Sequence, residues 1–129
     1  YQKQTENKKY LFVDGGMSDN IRPALYQAEY ACDIANRMNE EKTEKVTVAG
    51  KCCESGDILV EDVMLPEAKQ NDLLIIYTTG AYGYSMASNY NKLGKPAVVF
   101  VKDGVVRVVV KRESYQDMNA MDCDEVVNV

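Results

Sequence analysis

A mainly β fold, a barrel or a sandwich, is the architecture this sequence predicts, and three observations carry the prediction. Short runs rich in Val, Ile, Leu, Tyr and Phe recur along the chain, bounded by Gly, Pro, Asn and Asp. Lys102-Asp103-Gly104 stands between two β-branched runs, and Asp-Gly in that setting is a strong hairpin signal. Helical periodicity is weak, with one ambiguous stretch over residues 26–38.

The elements follow in order. Residues 1–9 are polar, without amphipathic order, and are expected to be a flexible lead-in. The chain starts at Tyr1 rather than Met, as expected of a processed product or a piece of a longer protein. Residues 10–13 are β-prone and stop at Asp14-Gly15-Gly16, a turn signal that also leaves bare backbone for a ligand to approach. Pro23 biases Arg22 toward extended backbone and suits the first turn of a short helix, which would set Tyr26 near Arg22.

Over residues 26–38 two patterns compete. Ala28, Tyr30, Cys32, Ile34 and Met38 alternate as on a strand, whereas Ala24, Ala28, Ala31, Ala35 and Met38 recur at helical spacing, and propensity leans toward helix. Residues 39–45 read as a solvated loop. Residues 46–49 and 57–65 read as strands, the second with Ile58, Val60 and Asp62 alternating against Leu59, Glu61 and Val63. Residues 73–77 are apolar enough for a strand buried on both faces. Residues 97–101 and 105–111 flank the Asp-Gly turn. The acidic, mixed C-terminus reads as a loose helix or tail. With 129 residues, one domain over residues 10–117, followed by an acidic tail over 118–129, is the expected organisation.

Composition excludes several functions. A formal charge of −5 speaks against binding nucleic acid, which needs clustered Lys and Arg. No apolar stretch approaches the roughly 18 residues of a membrane span, and no basic-then-apolar leader is present, so a cytoplasmic protein is expected. The four cysteines lack metal-ligand spacing, adjacent Cys52 and Cys53 bridge only with strain, and all are expected as reduced thiols with no metal site. His is absent, which removes Ser-His-Asp and Cys-His catalysis.

Two segments read as site loops. Gly50-Lys51-Cys52-Cys53-Glu54-Ser55-Gly56-Asp57 is too polar for a strand interior, so Cys53 reads as a functional thiol rather than a buried structural one. In Thr79-Gly80-Ala81-Tyr82-Gly83-Tyr84-Ser85-Met86 two glycines bare the backbone around Tyr82, so its phenol and the adjoining amides suit a phosphate or another polar group.

Together with Val13-Asp14-Gly15-Gly16-Met17-Ser18-Asp19-Asn20 and Arg22-Pro23-Ala24-Leu25-Tyr26, these segments occur in the order and approximate spacing of the diaminopimelate decarboxylase family. Over residues 13–117 the chain resembles the C-terminal β-domain of that family, which belongs to the fold-type III pyridoxal phosphate decarboxylases. The resemblance implies a second domain, an N-terminal (β/α)8 barrel of about 250 residues, which this chain lacks and which carries the cofactor-binding lysine. It implies that residues 26–36 form a strand, against the helical leaning, and that strand material from the N-terminus of a full chain completes the β-domain.

The resemblance also implies an activity: conversion of meso-2,6-diaminopimelate to L-lysine and carbon dioxide, in lysine biosynthesis, by a homodimer whose sites are shared between subunits. Cys53 corresponds to the proton donor, and Glu54 to the residue binding the substrate's distal amino group, both delivered to the neighbouring subunit's site. Arg22 and Tyr26 correspond to residues contacting the distal carboxylate, and Tyr82 to a tyrosine near cofactor and substrate. Cys52 is expected to be structural, and the chain alone to be inactive. Ornithine- and arginine-type decarboxylases share the architecture but usually carry Asp after the Cys. A non-catalytic interaction module is the remaining alternative.

Overall fold

The computed structural model describes residues 1–126. Packing divides the chain into two compact units, Tyr1–Ala87 and Ser88 onward. The boundary falls where residues 88–92 are all exposed, so no core forms there.

The first unit is built on a four-stranded sheet in the order β1-β2-β4-β5. β1 (Gln2–Gln4) pairs antiparallel with β2 (Lys9–Phe12), with Gln2 opposite Leu11. The expected lead-in is therefore an edge strand and its turn, closed by the Thr5 amide donating to the Lys8 carbonyl at 2.8 Å. β2 runs parallel to β4 (Glu44–Ala49), and β4 runs antiparallel to β5 (Ile58–Leu65). Val46, Thr47, Val48 and Ala49 are all buried, as befits the inner strand of a sheet covered on both faces.

The alternation expected along residues 58–63 does not hold, since Leu59 and Val60 are both buried. The β4–β5 ladder shifts register around Val48, and Asp62 adopts a left-handed φ of 52°, the local geometry of a bulge.

A second sheet pairs β3 (Cys32–Ile34) antiparallel with β6 (Leu74–Ile76). Only these three residues of 26–36 join a ladder; α1 (Arg22–Tyr26) precedes them, and a single 3-10 turn, Ala35–Arg37, follows. Neither a helix over 26–38 nor a strand over 26–36 forms. α1 stops at Gln27, whose φ is 55°. In β6, Leu74 and Ile76 pack toward the core while Ile75 is exposed, as is Leu73 just before the strand, so this strand is buried on one face and not two. The core comprises Leu11, Cys32, Ile34, Val46, Val48, Leu59, Val60, Leu65 and Ala68.

Arg37 ties the 3-10 turn to the segment before β6: it bonds Asp72, Glu40 and, at 2.8 Å, the Glu67 carbonyl. The Arg37 guanidinium, followed by bonds from the Lys69 amide at 2.7 Å and Asn36 Nδ2 at 3.0 Å, holds the Asp72 carboxyl well below the usual carboxylate range.

The second unit is dominated by the expected hairpin, β7 (Val98–Lys102) and β8 (Val105–Val110). Asp103 and Gly104 carry φ of 51° and 75°, as a two-residue type I′ turn requires. Cross-strand neighbours Val99 with Val108 and Val101 with Val106 form an exposed apolar face. α3 (Tyr115–Met118) is one turn with a capping box, in which Ser114 and Asp117 satisfy each other's backbone amides. The expected tail boundary at residue 118 thus falls inside α3, and residues 127–129 of that tail lie outside the described residues. Among the described residues the architecture is mainly sheet, as expected, in three separate sheets.

Candidate functional site

Parallel pairing of β2 with β4 sets two loop-bearing strand ends side by side. Beyond the strands the Val13 amide donates to the Ala49 carbonyl at 3.0 Å, and the Lys51 amide to the Gly15 carbonyl at 3.1 Å. Asp57, 3% exposed, places its carboxylate between the two chains. Oδ1 accepts from the Met17 amide at 2.6 Å and Oδ2 from the Cys52 amide at 2.7 Å. Glycine makes the room: a Cβ on Gly16 would lie 3.0 Å from Asp57 Oδ2, and one on Gly50 would collide with the carboxylate and with Gly16 Cα.

From this anchor the loop turns outward. The Glu54 amide donates to the Cys52 carbonyl at 2.8 Å, and the Asp57 amide to the Glu54 carbonyl at 3.1 Å. Cys52 points inward and is buried, while Cys53 and Glu54 are exposed. Glu54 Oε1 accepts from Ser55 Oγ and from the Gly56 amide, both at 3.2 Å. Burial pushes the Cys32 thiol up to about 11, and burial raises Cys52 as well. Of the two adjacent thiols, Cys53 is the one presented to solvent, in keeping with the structural role expected of Cys52.

Arg22, Tyr26 and Tyr82 form a second cluster. Pro23 opens α1, and the single turn brings the Arg22 guanidinium carbon 5.3 Å from the Tyr26 ring centroid. The same carbon lies 5.3 Å from the Tyr82 ring centroid. The Tyr26 approach was expected from Pro23; the Tyr82 contact was not. Two ring faces against the guanidinium favour the cation electrostatically. Its fork of N–H donors suits a planar carboxylate.

Tyr82 sits in α2 (Gly80–Met86), which is interrupted: Ala81 is extended (φ −68°, ψ 123°) and Tyr82 left-handed (φ 65°, ψ −15°). That sequence of angles belongs to a type II turn, whose third position normally falls to Gly. An aromatic residue there stores about 1–3 kcal/mol of backbone strain, a cost that clusters at functional sites. A Cβ on Gly80 or Gly83 would meet nothing within 4 Å, but Gly83 is buried, so of the bare backbone expected beside Tyr82 only that of Gly80 is exposed.

The structure therefore gathers Arg22, Tyr26 and Tyr82 and places Cys53 and Glu54 on a separate loop. Among the described residues no hydrogen bond or ring contact joins Cys53 to the Arg22 cluster. Asp57 was read from sequence only as a polar flank of the Cys53 loop. The signal that could have revealed its role is the pair Gly16 and Gly50, two bare positions at the ends of successive β-prone runs. Among the described residues no cluster of His, Cys, Asp and Glu is placed to hold a metal ion, and no helix is long and apolar enough to cross a membrane.

A short-stranded sheet domain with an exposed thiol loop and a tyrosine-flanked arginine defines a class before it defines a protein. Residues 1–80 match the family of the pyridoxal-dependent decarboxylase C-terminal sheet domain, and the chain belongs to that family. Its relatives narrow the class. The chain is 58% identical over 115 residues to the diaminopimelate decarboxylase of Bacillus subtilis, covering 89% of this chain and 26% of that protein. It is 57% identical over 122 residues to that of Halalkalibacterium halodurans, covering 95% and 28%. The crystal structure of diaminopimelate decarboxylase from M. jannaschii in complex with L-lysine superposes with a TM-score of 0.89 at 36% identity, covering 97% of this chain and 28% of that one. The Helicobacter pylori enzyme complexed with L-lysine gives 0.84 at 37% identity, covering 95% and 29%. The chain thus spans about a quarter of the length of these relatives.

Proposed function

We propose that this chain is the C-terminal domain of a diaminopimelate decarboxylase, which converts meso-2,6-diaminopimelate to L-lysine and carbon dioxide in the cytoplasm. The observation that carries the reading is the coexistence of an outward-facing Cys53–Glu54 loop with Arg22 held between two tyrosine rings. The residues present fit pyridoxal phosphate, because the exposed Tyr82 phenol and the exposed backbone of Gly80 offer polar groups to a phosphate-bearing ring. When bound, that cofactor supplies the electron sink for loss of carbon dioxide. Its lysine anchor lies in the N-terminal barrel of the family, so this domain alone is expected to be inactive.

The chain's own residues bind the substrate and move a proton. Arg22 takes the distal carboxylate through its N–H fork, with Tyr26 beside it, and Glu54 takes the distal ammonium. Cys53 Sγ–H gives its proton to the carbon that has lost carbon dioxide and recovers one from solvent. A thiol suits this step because it gives up and regains a proton far more readily than a hydroxyl does. In a homodimer Cys53 and Glu54 complete the neighbouring subunit's site, while Arg22, Tyr26 and Tyr82 serve their own. That no hydrogen bond or ring contact joins the two groups among the described residues is in keeping with this division. Glu54, where ornithine- and arginine-type enzymes usually carry Asp, favours the diaminopimelate reaction.

The test is release of carbon dioxide from meso-diaminopimelate by the full-length enzyme. Cys53→Ala is expected to lower kcat about 100-fold or more, the usual worth of a positioned acid, with KM little changed, and Cys52→Ala to be mild. Reversal of these two effects would assign the proton to the wrong thiol.

A further inference from the structure

We propose that Asp57 is the positioning residue of the proton-donor loop, clamping it to the loop that leads to Arg22 through two charge-assisted hydrogen bonds. The inference rests on the reading of Cys53 as proton donor and adds a residue to it.

The geometry separates this role from simple turn capping. An aspartate that only closed its own loop would bond within it, as Oδ2 does with the Cys52 amide, five residues away. Oδ1 reaches instead to the Met17 amide, 40 residues away in sequence. The Cys52–Glu54 and Glu54–Asp57 bonds shape the loop without reaching the rest of the domain, while the Lys51 amide, 3.1 Å from the Gly15 carbonyl, joins Asp57 Oδ1 in tying it to the neighbouring loop. Cys53 and Glu54 are exposed, so no core packing directs them. Cys52 is the link between Asp57 and the thiol. Its amide is held by Asp57, and its side chain is buried beside Gly16. The orientation of that residue sets where the next side chain, Cys53, points. The two glycines complete the device, since a side chain at Gly16 or Gly50 would occupy the space of the carboxylate.

Asp57→Asn keeps the shape but turns one acceptor into a donor facing a backbone N–H. Gly50→Ala evicts the carboxylate while leaving it intact. In the full-length enzyme each is expected to lower kcat about 10- to 100-fold, as a misplacement of about 1 Å does, with KM for meso-diaminopimelate rising by less than kcat falls, because Glu54 moves with the loop while Arg22 keeps its ring contacts. The solvent deuterium isotope effect on kcat should rise, since proton delivery becomes slow. Mixed dimers provide a readout that a general loss of stability would not move. An Asp57→Asn subunit should regain activity with a subunit lacking the cofactor-binding lysine and gain none with a Cys53→Ala subunit. The proposal is overturned if Asp57→Asn and Gly50→Ala leave kcat unchanged and only lower the unfolding midpoint, if KM rises as much as kcat falls, or if Asp57→Asn and Cys53→Ala complement each other. A fully active Cys53→Ala control would remove the underlying reading as well, whereas a crippled Cys53→Ala beside a fully active Asp57→Asn removes this proposal alone.

Discussion

The two halves of the candidate site are held by opposite means. Arg22, Tyr26 and Tyr82 meet side chain to side chain, with both tyrosine rings more than half exposed, 60% and 66%. Cys53 and Glu54 ride on a loop anchored from beneath by a buried carboxylate and two glycines. The lesson is one of tolerance. Stacked side chains adjust to a substitution, and each loses about what it contributes. A loop aimed by its backbone has no such slack, so a change three or four residues from the reacting group is felt at that group.

The largest effect that would sharpen this contrast is on selectivity. Lysine or ornithine carries the distal ammonium but no second carboxylate, so its binding leaves Arg22 unpaired, a loss of about 2–5 kcal/mol for a desolvated charge contact. Arg22→Ala in the full-length enzyme should raise KM for meso-diaminopimelate strongly. It should also narrow its advantage in kcat/KM over lysine by at least about 30-fold, which is the lower of those energies converted. An unchanged ratio of specificity constants would show that Arg22 does not read the distal carboxylate.

A smaller effect isolates the ring contact. Tyr82→Phe keeps the face against Arg22 and Tyr82→Leu removes it, at about 0.5–1 kcal/mol for an exposed cation–π pair. KM for meso-diaminopimelate should therefore be about 2- to 5-fold higher in the Leu variant than in the Phe variant. Equal values would mean that the phenol oxygen alone matters and the ring does not orient Arg22.

The smallest effect lies outside the site and serves as its control. Asp72 is held well below the usual carboxylate range by Arg37, so its contribution to stability is present above the unfolded value of about 4. It is lost as pH falls below that value toward the folded one. Asp72→Asn should lower the thermal midpoint of the full-length enzyme at pH 7, and the gap to the unsubstituted protein should shrink as pH drops below about 4. A gap independent of pH would contradict the ion-pair origin, and a change in kcat would blur the line between scaffold and site.

Sequence patterns revealed the parts of this chain that depend on local chemistry. The Asp103-Gly104 hairpin, β4, the span of β5 and the Pro23 turn were legible because each is written within a few adjacent residues. β1 was missed because Gln2, Lys3 and Gln4 lie at a sheet edge, mostly exposed, and carry no apolar face. The 26–36 segment misled because a three-residue strand is too short to show a period, and the left-handed Gln27 that ends α1 has no sequence mark. Leu73 read as core from its neighbours, although it is exposed. Within the site, Cys53, Glu54, Arg22, Tyr26 and Tyr82 were singled out by residue type and by family resemblance. Asp57 escaped because its meaning lies in an amide 40 residues away. The same limit hid the strained Tyr82 backbone and its contact with Arg22.

The central claim is that the two halves of the site serve different active sites of a dimer, and one measurement addresses it directly. A full-length subunit lacking the cofactor-binding lysine is mixed with a Cys53→Ala subunit, re-equilibrated, and assayed for carbon dioxide release from meso-diaminopimelate, with heterodimer content confirmed by mass spectrometry. Each parent homodimer should be inactive or nearly so, and the heterodimer should regain activity, because one of its two sites combines an intact lysine with an intact Cys53. Confirmed heterodimers that stay as inactive as their parents would contradict the account.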